Sequence, residues 1–326
     1  MKRLVMGLLG WLVLSLLGAA EEWTSTDGKS IEAEFLRVDG ESVVLEMDGK
    51  DFVVPLERLV AEDQEKARTL EGQRGLSVLY GQVLKPGHNE VVGELSAETL
   101  ALFSKHKHPV TGVRIVVYLP KGFDRSQPQK ILWPGVGLNN EAEWKKGAAG
   151  SANWYKSQLG ETDWVVIGAN TNQGNPTERK GEGNPEATAA FNAEVLATIL
   201  KMWPEMRSWK HVTAGFSAGG KQSYFRLAHL LQAEIPVTGL FLCGVNQCLA
   251  EGARESYGLG RKAFRDIPVF FSTGETDKLV PESSLERVID QTKDAGFAPI
   301  RSERYPEGHV LNFEHLKEAL EWFSGM

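Results

Sequence analysis

A serine hydroxyl becomes a useful nucleophile only when a base takes its proton and an acid holds that base in the right tautomer. Ser217, Asp277 and His309 supply those three residue types in chain order, 60 and then 32 residues apart. Ser217 stands in Gly215-Phe216-Ser217-Ala218-Gly219. A β-prone run over residues 211–214 enters this turn, and a helix-patterned segment over 221–232 leaves it. So sharp a strand-to-helix turn strains the serine backbone, and glycines two residues before and after it remove Cβ atoms that would collide. The hydroxyl then stands at a helix N-terminus, where free N–H groups favour developing negative charge.

Asp277 and His309 each follow a predicted strand. Residues 269–273 run into Gly274-Glu275-Thr276-Asp277-Lys278-Leu279-Val280-Pro281, and residues 300–305 run into Pro306-Glu307-Gly308-His309. Glu275 is the competing acid. Asp277 is preferred because it lies farther along the loop, directly before the Leu-Val-Pro restart. Asp277 could instead cap the helix that Pro281-Glu282 opens. His315, on a helix expected over 313–323, is the second candidate base. His211 begins the strand before Ser217 and His229 lies on the following helix, so both read as structural.

The elements that must position these groups are strands alternating with helices from residue 113 onward. Strands are expected over 113–119, 130–133, 164–168, 211–214, 239–243, 269–273 and 300–305, a pattern that predicts a largely parallel α/β sheet covered on both faces. Asn184-Pro185-Glu186 can serve as N-cap, first helical residue and acidic first turn. Phe191, Val195, Leu196, Ile199, Leu200 and Trp203 then recur at helical spacing as a core stripe.

Gly-Phe-Ser-Ala-Gly-Gly, Gly-Glu-Thr-Asp-Lys-Leu-Val-Pro and Glu-Gly-His, in that order, resemble the α/β-hydrolase superfamily over residues 110–326. Within it, Val116-Val-Tyr-Leu-Pro-Lys-Gly-Phe-Asp124 is similar to the entry strands of polyhydroxybutyrate depolymerase, feruloyl esterase and dienelactone hydrolase-like carboxylesterases. The resemblance implies that Ser217 attacks an ester carbonyl, His309 accepts its proton and Asp277 orients the imidazole, with no metal and no organic cofactor. It also implies an oxyanion hole built from the backbone N–H groups of Ala218 and Val136. The family places a His-Gly-x-Gly turn there, whereas this chain reads Trp133-Pro134-Gly135-Val136-Gly137, with Pro134 in the histidine's place. Asn139, Trp144, Tyr155 and Asn170 are candidate substrate contacts in loops after the strands. Amides and aromatic faces in one mouth would suit an acyl or feruloyl ester on polysaccharide; tryptophans packed beneath polar loops are the other reading. The substrate could be a small molecule or a polymer. Amide cleavage by the same machinery, and a non-catalytic exported binding protein using the fold as a recognition surface, are the alternatives.

The rest of the chain sets the context. Met1-Lys2-Arg3 precedes an apolar run over 4–17 and Gly18-Ala19-Ala20, which reads as a signal peptide over 1–20 and implies a periplasmic or secreted protein. An uncleaved anchor is the rival, but the apolar run is short for a span. With residues 1–20 removed, 34 basic residues face 43 acidic ones, a balance of −9 that argues against nucleic-acid partners. After leader removal no integral membrane segment is expected. Cys243 and Cys248 could form a local disulfide or stand as two buried thiols. His88, His106 and His108 lie in a polar stretch and read as solvated, not metal-binding.

Residues 23–60 alternate β-type runs with Asp27-Gly28, Asp39-Gly40 and Asp48-Gly49, the pattern of hairpins in a small barrel. Trp23-Thr24, Asp27-Gly28-Lys29, Ile31-Glu32-Ala33-Glu34-Phe35, Gly49-Lys50, Val54-Pro55-Leu56 and Glu62-Asp63-Gln64 together resemble the Sla-one homology domain of the first type, over residues 22–68. That resemblance implies an SH3-like β-barrel, a short peptide as possible partner, or a passive spacer or docking module. Residues 69–109 are read as a linker.

Overall fold

The computed structural model describes residues 20–73, 76–103, 110–135, 147–171 and 185–326. The expected leader, Val136, Asn139, Trp144, His106 and His108 lie outside the described residues, as does Asn184. The chain forms two compact units, residues 1–83 and 84–326.

In the first unit, β1 (Glu21–Thr24), β2 (Ser30–Asp39), β3 (Ser42–Met47) and β4 (Lys50–Pro55) form an antiparallel sheet in that order. Asp48 and Gly49 both take positive φ, 53° and 72°, which is what a two-residue hairpin between Met47 and Lys50 requires. A fifth extended segment follows. Leu59 bridges Ser25, and Val60 N–H donates to Thr24 O while Thr26 N–H donates to Arg58 O. Helix α1 (Ala61–Gln73) adds Ala67 and Leu70 to a core of Trp23, Ala33, Phe35, Val43, Leu45 and Leu59. Trp23 stacks on Phe35 and donates its indole N–H to Ala33 O, so the polar edge of this buried ring is satisfied. A two-residue-looped hairpin, β5 (Val78–Leu79) and β6 (Gln82–Val83), ends the unit.

The second unit carries β7 (Gly87–Gly93), α2 (Ala97–Leu102), β8 (Val113–Leu119), β9 (Lys130–Gly135), α3 (Gly147–Leu159), β10 (Trp164–Thr171) and α4 (Pro185–Met202). It continues with β11 (Lys210–Phe216), α5 (Ala218–Gln232), β12 (Val237–Cys243), α6 (Ala250–Ser256), β13 (Val269–Gly274), α7 (Glu282–Asp294), β14 (Ile300–Tyr305) and α8 (Phe313–Ser324). The eight strands order as β7-β8-β10-β9-β11-β12-β13-β14. Strand β8 runs antiparallel to both β7 and β10, and every pairing from β10 through β14 is parallel.

All seven strands expected from residue 113 onward are present. The linker read over 69–109 is corrected: it contains the last turns of α1, the small hairpin, α2 and, as β7, one edge strand of the main sheet. Strand β7 alternates buried Asn89 and Val91 with exposed neighbours and is flanked by glycines, so it lacks the apolar run of a two-sided strand. Asn89 replaces hydrophobic contact with four hydrogen bonds, donating to Lys85 O, Gly87 O and Val117 O and accepting from Lys85 N–H.

Strand β10, by contrast, is buried along its whole length. The core over one face joins Val116, Leu132, Val212, Phe241 and Phe270 from the sheet to Tyr155 and Leu159 of α3 and Leu316, Leu320 and Phe323 of α8. Gly239 makes that packing possible, since a Cβ there would lie 2.4 Å from Phe323 Cγ.

Candidate active site

The sharp turn after β11 is built as its sequence demands. Ser217 takes φ 54° and ψ −120°, a conformation costly to any residue with a Cβ, on the order of 1–3 kcal/mol. Its N–H donates to Cys243 O at 2.8 Å, and its carbonyl accepts from Lys221 N–H at 3.2 Å. The glycines have measurable reasons. A Cβ on Gly215 would lie 2.4 Å from Gly219 C and O, and one on Gly220 would lie 2.5 Å from Val245 Cγ2. Gly135, at the end of β9, comes equally close, with its virtual Cβ 2.6 Å from Gly219 O. Gly135, the residue after Pro134 at the end of β9, therefore packs directly on the turn that holds Ser217.

Three side chains converge from three strand ends. His309 Nε2 lies 2.9 Å from Ser217 Oγ, and His309 Nδ1 lies 2.7 Å from Asp277 Oδ2. With Nδ1–H donating to the carboxylate, Nε2 carries the lone pair that accepts the serine proton. The Asp277 side chain is fully buried, and its other oxygen accepts from Leu279 N–H at 2.8 Å and Val280 N–H at 3.1 Å. Oδ1 thus closes an Asx-type turn before α7 without capping that helix, whose N-cap is Pro281 with no side-chain cap bond, while Oδ2 faces His309 Nδ1. Glu275, the rival acid, is exposed; its N–H donates to Tyr305 O.

The strand order and the strand-turn-helix at Ser217 are those of the α/β-hydrolase fold. No protein-family model matches the chain, and no curated protein sequence matches it either. Solved structures similar to it include a ferulic acid esterase, at 16% identity over 73% of this chain and 97% of that one, with a TM-score of 0.45. A bacterial heroin esterase is similar at 14% identity over 80% and 88% of the two chains, TM-score 0.45. Zea mays acyl-protein thioesterase 2 is similar at 17% identity over 65% and 98%, TM-score 0.44.

The remaining histidines separate clearly from His309. His315 Nδ1 meets Ser272 Oγ at 2.9 Å beside Phe270 and Tyr305, and burial lowers its pKa; it is a packing histidine, not a second base at Ser217. His211 is buried, with Nδ1 accepting from Trp133 Nε1–H at 3.1 Å and Nε2 facing Met206 O at 2.9 Å. Desolvation lowers its pKa to about 4, and His229 is lowered to about 4 for the same reason. His88 is exposed beside Glu90.

Two of the expected substrate contacts are corrected. Tyr155 is completely buried in the core, edge-on to Trp154 and Phe313, and Asn170 is 2% exposed with its amide donating to Thr171 O. Tyr155 lies on helix α3, where a loop was expected, and β10 extends through Asn170, past its expected end at 168. Cys243 and Cys248 are free thiols, the first buried and the second half-buried.

Two glycines not singled out in the sequence surround His309. Gly244 has φ +59°, and a Cβ there would lie 3.0 Å from both His309 Cε1 and Phe216 Cε2. A Cβ on Gly274 would lie 2.3 Å from the carbonyls of Glu307 and Gly308, so the His309 loop rests directly on the end of β13. The signal that could have found them is a glycine directly after each of two strand ends. Among the described residues, no group of three or more His, Cys, Asp or Glu side chains could hold a metal ion, and no helix is long and apolar enough to cross a membrane.

Proposed function

We propose that this protein is a serine hydrolase that cleaves carboxylic esters through an acyl-enzyme. The observation that carries the reading is the unbroken chain Ser217 Oγ, His309 Nε2, His309 Nδ1, Asp277 Oδ2, with contacts of 2.9 and 2.7 Å. Ser217 Oγ attacks the ester carbonyl carbon as His309 Nε2 takes its proton. Asp277 stabilises the imidazolium formed. The oxyanion develops at the N-terminus of α5, where Ala218 N–H is the first donor; the resemblance to the superfamily supplies Val136 N–H as the second. His309 then returns the proton to the departing alcohol, and water resolves the acyl-enzyme by the same steps in reverse.

The finer parts of the reading have narrower support. A feruloyl or other acyl ester on polysaccharide is supported by the resemblance of residues 116–124 to that group of carboxylesterases; Tyr155 and Asn170, being buried, lend it nothing. Export to the periplasm or beyond is supported by residues 1–20. For the first unit, the four-stranded sheet with its fifth segment at 59–60 supports a small barrel, and a Sla-one homology domain serving as spacer or docking module is supported by the sequence resemblance over residues 22–68.

The test is labelling by a fluorophosphonate probe together with turnover of nitrophenyl esters. Wild-type protein is expected to label and turn over, and Ser217→Ala to lose labelling entirely and turnover by about 10⁴-fold or more. A folded wild type that neither labels nor hydrolyses any ester, yet binds feruloylated or acetylated glycans saturably, would establish a binding protein instead.

A further inference from the structure

We infer that Gly244, at the corner after β12, is a positioning residue: its missing side chain makes the space in which the His309 ring lies against Phe216 at hydrogen-bonding distance from Ser217. The inference rests on the esterase reading of the site, and it concerns what holds the base and not what the base does.

The corner touches the turn of Ser217, the loop of His309 and the strand that leads to Asp277. Cys243 O accepts the Ser217 N–H at 2.8 Å, fixing the turn of the candidate nucleophile. The Cys243 thiol reaches Val310 O at 3.5 Å, the carbonyl of the residue following His309, and the Tyr305 hydroxyl donates to the same carbonyl. Gly244 N–H donates to Ser272 O at 2.9 Å, tying the corner to β13. One strand end therefore sets the backbone of Ser217 and braces the loop of His309.

Gly244 sits where these two meet. Phe216 and His309 pack with ring centroids 4.7 Å apart and planes tilted by 40°. A methyl group at 244 would lie 3.0 Å from His309 Cε1, 3.2 Å from His309 Nδ1 and 3.0 Å from Phe216 Cε2. It would wedge between the two rings. Cε1 is the ring atom between Nδ1 and Nε2, so a push on that edge disturbs the bonds to Asp277 and Ser217 together. A base displaced by a fraction of an ångström still permits binding, because no substrate contact is removed, but it degrades proton transfer.

The backbone at 244 also needs glycine for its φ, so the test requires a control that shares the strain without the collision. Gly258, at the end of α6, has φ +62° and nothing within 4 Å of a virtual Cβ. The experiment measures kcat and KM for a nitrophenyl ester in wild type, Gly244→Ala, Gly258→Ala, Phe216→Leu and Gly244→Ala/Phe216→Leu, with thermal midpoints for each. Gly244→Ala is expected to lower kcat by roughly 10- to 100-fold with KM within about threefold, while Gly258→Ala keeps wild-type kcat at a similar thermal shift. Phe216→Leu, which removes one wall of the ring, is expected to lower kcat about three- to tenfold alone and to raise it in the Gly244→Ala background, a sign reversal that a merely destabilised core would not produce. Gly244→Ala with the kcat of Gly258→Ala, or with its defect confined to KM, would overturn the inference. Should Gly244→Ala fail to fold, an unchanged kcat in Phe216→Leu overturns it equally. Wild-type protein without turnover or Ser217 labelling would strike the esterase reading instead, a separate outcome.

Discussion

The two ends of β11 each hold a histidine, and the contrast between them explains what a histidine needs to act. At the entry end, His211 is enclosed between the Trp133 indole and the Met206 carbonyl, two neutral partners that occupy both ring nitrogens. A Trp N–H pointing at Nδ1 leaves that nitrogen no room for a proton, and the ring stays neutral. At the exit end, beyond Ser217, His309 has a carboxylate on one nitrogen, the serine hydroxyl on the other and a side chain still 16% exposed. Burial alone makes a histidine inert; a buried acid behind a partly open ring makes one that can cycle a proton.

Breaking the exit end should have the largest effect. Asp277→Asn removes the feature that distinguishes His309 from His211, and ester turnover is expected to fall by about 10⁴-fold at neutral pH, with retained phosphonylation too slow to follow on the same timescale. Glu275→Gln, by contrast, should stay within about twofold of wild type, because that carboxylate is exposed beyond the constellation.

Breaking the entry end should cost stability and not chemistry. Trp133→Phe leaves His211 Nδ1 buried without its donor, and chemical denaturation should show a loss of about 1–3 kcal/mol from the unsatisfied nitrogen, before any cavity contribution. Turnover per folded molecule should fall far less than in Asp277→Asn.

The sharpest test is the pH dependence of stability. Burial holds His211 at about 4 in the folded state, below the ordinary value of 6.5. The unfolded chain therefore binds the proton first. Stability from this residue is whole above about pH 6.5 and is lost progressively as pH falls toward 4, by up to about 3 kcal/mol. Denaturation midpoints measured from pH 7.5 to 4.5 should decline in wild type and decline less steeply in His211→Gln, whose amide can accept from Trp133 and donate to Met206 O.

Much of this was legible before any coordinates. Seven strand segments, the turn at Ser217 and the choice of Asp277 over Glu275 follow from local signals: apolar runs, glycine spacing and the placement of an acid just past a strand. Strand β7 was not legible, because an edge strand stabilised by Asn89 and bounded by glycines reads as a loop. Tyr155 and Asn170 looked like mouth residues because their types suit a binding surface; only the packing of α3 and the length of β10 turned them inward.

The sequence by itself determined which residues could form a proton relay and in what order the strands present them, since periodicity and turn chemistry are local properties of the chain. The tertiary structure alone decided that Ser217, His309 and Asp277 meet at 2.9 and 2.7 Å. It alone also showed that Gly244 leaves room for them to do so, because a distance between residues far apart in sequence depends on how helices and strands from the whole domain pack.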